Sequence, residues 1–156
     1  MGTVEVGRDD LREFDNGEKD ASGQYERYAV LPESDRRKGF VRPYRDTYKH
    51  IGPREPRFPL LDLTQEQQDR YAAYGYVKYE KYPDSGGSVV GKFWTQGELD
   101  RVGKCGYTTS MGRALSETYA RDPKYYGATF CAHCGQHYPV GEDGEFVWLD
   151  GEKVGT

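Results

Sequence analysis

Aliphatic side chains are scarce in this chain. Only 26 of its 156 residues are Leu, Ile, Val or Phe, and Ile51 is the one isoleucine. That is a level at which disorder is suspected, yet the net charge of −4 is too small to complete the disorder signature. Cysteine is scarce too, and its count of three is odd. An odd count argues against a closed disulfide framework and for reduced thiols. No apolar run reaches membrane-spanning length, and the segment Met1 to Asp20 is acidic and polar. A membrane span, a signal peptide and a transit peptide are therefore not expected, which points to the cytoplasm. Internal repeats and low-complexity tracts are also missing.

What is abundant is tyrosine. Fourteen tyrosines supply apolar area that aliphatics would normally provide, each with a hydroxyl that needs a partner. A core so poor in aliphatics is weak, and small folds in that position are usually stapled, a structural metal being one such staple. Charge is uneven along the chain. Residues 1–35 hold 4 basic and 10 acidic groups and read as a flexible acidic arm. Residues 36–57 hold 8 basic and 2 acidic groups, and residues 58–156 hold 10 and 14.

Regular patterning begins at Leu60. Thr64 with Gln67, and Thr95 with Glu98, are capping-box pairs, predicting helices that run to about Tyr74 and to Gly103. Between them, Tyr76 to Tyr82 alternates apolar with charged residues and reads as a strand. Pro83 to Gly87 is turn chemistry, with Ser88 to Trp94 as the hairpin partner. Thr109 or Ser110 is expected to cap a third helix through Ala120, placing Met111, Leu115 and Tyr119 on one face. Ala128 to Phe130 reads as a strand, and Asp143-Gly144 as a hairpin turn leading into Phe146–Leu149.

The chemistry lies in Cys131-Ala132-His133-Cys134-Gly135. Two thiolates three positions apart on a tight turn form half of a tetrahedral zinc site, and the following glycine suits the turn. The other half must be Cys105 plus a histidine. Three histidines are candidates. His133, central in the turn, is placed to point away from the ion. His137 follows Cys134 by three residues and could close a short loop. His50 lies far from Cys105, but the residues between contain two predicted helices and a hairpin that can form a self-contained excursion. His50 and Cys105 would then sit at its base, and His50 is the favoured ligand, with His137 as the alternative. A redox pair at Cys131/Cys134 is the competing reading; it needs a helix after the first thiol, and Gly135, His137 and Pro139 do not read as one.

Two segments, Gly39-Phe40-Val41-Arg42-Pro43-Tyr44-Arg45-Asp46-Thr47-Tyr48-Lys49-His50 and Thr108 through Cys131, resemble a family of uncharacterised small proteins met in bacteriophage and bacterial genomes. In compact members the counterpart of His50 stands a few residues before that of Cys105. The resemblance thus implies that Ile51 to Lys104 is an insertion, and that one structural zinc is held by His50, Cys105, Cys131 and Cys134. It covers about 39–50 and 103–156 and brings no known activity.

The sequence thus predicts an α+β protein: a small zinc-ribbon-like domain over 36–156 with an excursion at about 51–104, and the acidic arm. Enzyme motifs are lacking. No H-E-x-x-H, phosphate loop or G-x-S-x-G occurs, nor the His-x-Glu or Cys-x-Glu of a zinc deaminase. Glu117, 14 residues before Cys131, reads as a solvated or capping carboxylate. No small-molecule substrate is indicated. Function is then expected on the surface, as a protein-interaction or assembly module in a bacterial host cell or a virion. The alternative is nucleic-acid binding through Arg36, Arg37, Lys38, Arg42 and Arg45, with Tyr44 and Tyr48 as stacking platforms. An acidic whole chain weighs against that alternative.

Overall fold

The computed structural model describes residues 2–83 and 90–156 and is an α+β structure. Along the chain run β1 (Gly2–Glu5), β2 (Arg27–Val30), α1 (Glu33–Arg36), β3 (Thr47–His50), β4 (Leu60–Asp62), α2 (Gln65–Tyr71), β5 (Tyr76–Lys81), β6 (Gly91–Thr95), α3 (Gln96–Arg101), β7 (Thr108–Ser110), α4 (Arg113–Arg121), β8 (Ala128–Cys131), β9 (Gln136–Pro139) and β10 (Phe146–Trp148). Short 3-10 turns occupy Arg8–Glu13 and Ala72–Tyr74. The chain divides into two compact units, Met1–Ile51 with Cys105–Thr156, and Gly52–Lys104. Among the described residues no helix is long and apolar enough to cross a membrane.

In the first unit, β3 is the centre of an antiparallel sheet ordered β10-β3-β7. Its register pairs Tyr48 with Trp148 and with Thr109, and His50 with Phe146. Alternation along β3 points Tyr48 and His50 inwards, both buried, and leaves Lys49 exposed. Tyr48, Tyr119, Cys131, Phe146, Trp148 and Val154 form one core cluster, in which aromatic rings take the place of aliphatic bulk. The β8–β9 hairpin runs beside this core and carries the Cys131–Cys134 turn at its tip.

In the segment 1–35, expected as a flexible arm, the described residues 2–35 are instead part of this unit. β1 and β2 pair in parallel, and Ala29, Val30 and Leu31 are buried. Val6, Leu11 and Phe14 pack against a second cluster of Ala29, Leu31 and Tyr125. These few apolar residues anchor a segment whose average composition is acidic. Charge neutralisation assists: Arg36 bonds Glu117 at 2.6 Å and Glu5 at 3.3 Å. On α4 the buried Thr118 hydroxyl accepts from Leu31 N at 3.1 Å and donates to Ala114 O at 2.7 Å, so a polar residue seals the contact with no unpaired group.

Two expectations change in this unit. The third helix starts at Arg113 with Gly112 as its N-cap, because Thr109 and Ser110 are taken up by pairing with β3. Met111 therefore precedes the helix. Likewise Phe146–Trp148 pairs with β3 and not with the preceding strand, since burying Phe146 and Trp148 against Tyr48 outweighs a local hairpin.

The second unit is a sheet ordered β4-β5-β6 with α2 and α3. Both capping boxes are formed, Thr64 with Gln67 and Thr95 with Glu98. α2 closes at Tyr71, with the 3-10 turn carrying the chain on to Tyr74. The turn expected at Pro83 to Gly87, and the start of its partner strand at Ser88, lie outside the described residues. The strand itself runs over Gly91–Thr95. Tyr71, Tyr76, Tyr79 and Phe93 cluster with ring centroids 4.8–6.3 Å apart. On β5, Glu80 is fully buried and accepts from Arg54 Nη2 (2.9 Å), Trp94 Nε1 (3.1 Å) and the amides of Arg57 (2.6 Å) and Phe58 (3.1 Å). Burial alone would raise its pKa; Arg54, the two amides and Trp94 outweigh that and hold it at about 2.

Candidate metal centre

Four side chains from three places in the first unit converge: His50 from the end of β3, Cys105 from the approach to β7, and Cys131 and Cys134 from the β8–β9 turn. Their donor atoms all lie within 4.8 Å of one another, and together they can hold a metal ion. Cys105 Sγ is 3.7 Å from Cys131 Sγ and 3.8 Å from Cys134 Sγ. His50 Nδ1 is 3.5 Å from Cys134 Sγ.

Local backbone explains the convergence. Cys134 N points at Cys131 Sγ across 3.5 Å and Gly135 N donates to Cys131 O at 2.8 Å, so the turn folds back on Cys131, one amide facing its thiol and the next its carbonyl. Gly135 takes the left-handed conformation (φ 68°) that reverses the chain into β9. On the other side, Gly106 N donates to His50 O at 2.8 Å and His50 N to Tyr107 O at 3.0 Å. These two bonds clamp His50 beside Cys105 even though 54 residues separate them in sequence. Cys105 itself has φ 78°, the one positive value at a non-glycine among the described residues. A left-handed cysteine is strained, and such strain concentrates where a side chain must be aimed at a site.

His50 is held on every side. It is 1% exposed and lies between Tyr138 (centroids 4.8 Å apart, 14° between planes) and Phe146 (4.8 Å, 29°). Its Nε2–H donates to the buried carboxylate of Glu145 at 2.9 Å, which leaves Nδ1 free to face the sulfurs. A carboxylate behind a ligating imidazole fixes its tautomer and raises its basicity.

Three sulfurs this close cannot all ionise without a cation among them. Burial, then the neighbouring Cys131 and Cys105, push the Cys134 thiol up to about 12. Partial burial also works against the Cys105 thiolate, but the Tyr107 amide, His50 and the other two thiols outweigh it and hold that pKa below its ordinary value.

The other two histidines stand apart. β9 alternates, so Tyr138 faces His50 while His137 faces the opposite side. There His137 Nε2 meets Tyr28 Oη at 2.8 Å and its ring lies tilted against Tyr25, centroids 4.7 Å apart. His133 is exposed and stacks on Tyr107. Glu145, Tyr138 and Phe146 escaped the sequence reading, because nothing in their spacing ties them to His50.

The basic stretch does not form one surface. Arg36 is bound to Glu117 and Glu5. Arg45 sits over the Trp148 ring and bonds Asp150 and Glu152, both at 3.1 Å. Tyr48 is buried and donates to Phe130 O. These three are withdrawn from any nucleic-acid contact, since their charge is neutralised or their ring is covered. Arg37 and Lys38 are exposed but paired with Glu33 and Asp35. Arg42 reaches the Thr156 carbonyl, and Tyr44 is exposed. Glu117, expected to be solvated or capping, joins Arg36 and Arg113 in an ion-pair hub. No family model, curated protein or solved structure matches this chain.

Proposed function

We propose that this protein is a zinc-stapled, zinc-ribbon-like module without catalytic activity that works by binding another protein. The observation that carries the reading is the closed donor set. A tetrahedral zinc with bonds of about 2.3 Å to sulfur and about 2.0 Å to nitrogen puts sulfurs about 3.8 Å apart and sulfur and nitrogen about 3.5 Å apart. The separations of 3.7, 3.8 and 3.5 Å in this chain fit one ion of that size. Three cysteines and a histidine fill all four positions, so no place is left for a substrate or activated water. Soft thiolates with one imidazole favour zinc over harder cations.

Function then falls to the surface. Most of the basic stretch is consumed by internal ion pairs, and this favours a protein partner over nucleic acid. Phe40, Val41 and Tyr44 are exposed on a loop tied down by Val41 N and Arg42 N, which both donate to Ala120 O at 2.9 and 3.1 Å. Apolar side chains on a braced loop are suited to docking at low entropic cost. Assembly in a phage particle or a phage–host complex is the setting that the sequence resemblance suggests for it.

Metal analysis of purified protein should give one zinc per chain. Affinity capture from host cells should retain partners with the native chain that a Phe40→Ser/Tyr44→Ser variant, folded and zinc-loaded, loses; identical capture by both would refute the reading. A mobility shift with single- or double-stranded nucleic acid at micromolar protein, abolished by Arg42→Ala, would instead favour the nucleic-acid alternative.

A further inference from the structure

The first unit holds a cavity of about 340 Å³ beside the metal turn, between β7, α4 and β8, that the staple does not use. That volume lies in the range of small-ligand pockets. In a chain 31% charged, no side chain with a formal charge lines this cavity among the described residues. Its apolar walls come from Met111, Leu115, Phe130 and several tyrosine rings, and its polar side chains are neutral, the Gln24 amide and hydroxyls such as those of Thr109 and Thr129. An anionic or cationic ligand would find no counter-charge there, so the occupant is neutral.

Two features ask for hydrogen bonds. Tyr119 is 4% exposed and its hydroxyl has no hydrogen-bond partner. The Thr129 hydroxyl nearby donates to Tyr48 Oη at 3.2 Å. A buried hydroxyl left unpaired costs stability unless something completes it. The second feature is β7, an edge strand of its sheet. Tyr107 O accepts from His50 N and Met111 N donates to Asp46 O, both towards β3. Antiparallel alternation then turns the amides of Thr108 and Ser110 outwards, and both residues line the cavity. Peptide groups on a free edge pair with another amide edge.

We propose that this cavity binds an uncharged planar ring with an N–H/C=O edge, a nucleobase in its free or nucleoside form. The ring packs among the tyrosines, its amide edge meets the Thr108–Ser110 backbone, and a polar ring substituent satisfies Tyr119 Oη. This is a separate property of the molecule from the protein-binding loop.

Ligand-observed NMR on the full, zinc-loaded chain tests it, with uridine, guanosine, N3-methyluridine and uridine 5′-monophosphate as probes. Uridine or guanosine should bind with a dissociation constant at or below about 1 mM. N3-methyluridine, whose edge N–H is blocked, should bind at least about tenfold more weakly, the equivalent of one or two hydrogen bonds. The monophosphate should gain nothing over uridine. Leu115→Trp, which fills the cavity, should abolish binding, and Tyr119→Phe should weaken it several-fold with melting and zinc content retained. No saturable binding of either nucleoside at 10 mM would overturn the proposal. So would equal binding of uridine and N3-methyluridine, or unchanged binding by a folded Leu115→Trp variant; if Leu115→Trp does not fold, Met111→Phe replaces it under the same criterion.

Discussion

Single side chains decide how firmly this donor set would hold a metal, and Glu145 is the most telling because it is outside the donor set. Buried, and accepting the His50 Nε2–H at 2.9 Å, it orients the imidazole towards the sulfurs. Outer carboxylates of this kind contribute about tenfold to hundredfold in metal affinity. Glu145→Ala should weaken zinc binding by that factor in competition with a chromophoric chelator, whereas equal affinity would remove the carboxylate from the site. His50→Ala should lose far more affinity than His137→Ala, since His137 faces Tyr25 and Tyr28 on the other side of β9. The reverse ranking would move the fourth ligand to His137. At this scale the sequence spoke clearly where ligands share a turn, as Cys131 and Cys134 do. It was silent on Glu145, because a carboxylate that meets His50 from 95 positions away leaves no spacing to read.

At the scale of elements, the helices of the second unit follow short-range rules. Thr95 accepts from Glu98 N at 3.1 Å while Glu98 accepts from Thr95 N at 3.1 Å. Thr95→Ala should therefore cost about 1 kcal/mol in chemical denaturation followed through Trp94. The same unit carries an acid-sensitive element in Glu80, whose folded pKa of about 2 lies below its ordinary value of 4.5. A depressed carboxylate pKa gives stability that is fully present above 4.5 and is lost as the pH falls from 4.5 towards 2. About 3 kcal/mol is at stake at neutral pH, so Glu80→Gln should flatten the acid limb of Trp94-monitored stability and lower the neutral plateau. An acid limb of equal steepness in the variant would show that Glu80 is not its source. Both capping boxes were visible in the sequence because a cap and its partner stand three positions apart. The fate of Thr109, Ser110 and Phe146–Trp148 was not, because β3 recruits all of them from distant positions.

At the scale of the molecule, each unit contains one tryptophan, Trp148 in the first and Trp94 in the second. Zinc removal should unfold the first unit, since binding free energy at structural sites, on the order of 10–16 kcal/mol, is also folding free energy. A strong chelator should thus shift Trp148 emission in a Trp94→Phe background. Mild acid should do the same, because thiolates must take up protons as the metal leaves. Unchanged Trp148 emission after complete zinc removal would mean that the aromatic core stands without its staple. The N-terminal segment belongs to this same economy of contacts. Gly23, at φ 95°, is so close to the metal turn that an added Cβ would lie 1.9 Å from Gly135 O. Gly23→Ala should therefore lower zinc affinity and melting temperature without altering any ligand, measured by chelator competition and calorimetry.

What the sequence by itself determined is local: the Cys131–Cys134 turn, the two capping boxes, the strand at Tyr76, and the scarcity of aliphatics that makes a staple valuable. Each depends on residues within a few positions of one another, where covalent geometry already restricts the partners. The tertiary structure decided between His50, which the sequence already favoured beside Cys105, and His137; it alone placed Glu145 behind His50, folded residues 2–35, and paired Arg36 and Arg45 with acids from distant positions. Those outcomes require distant segments to meet. Which ones meet is settled by the burial of Tyr48, Phe146 and Trp148 and by charge pairing across the fold, and neither leaves a periodic mark on the chain.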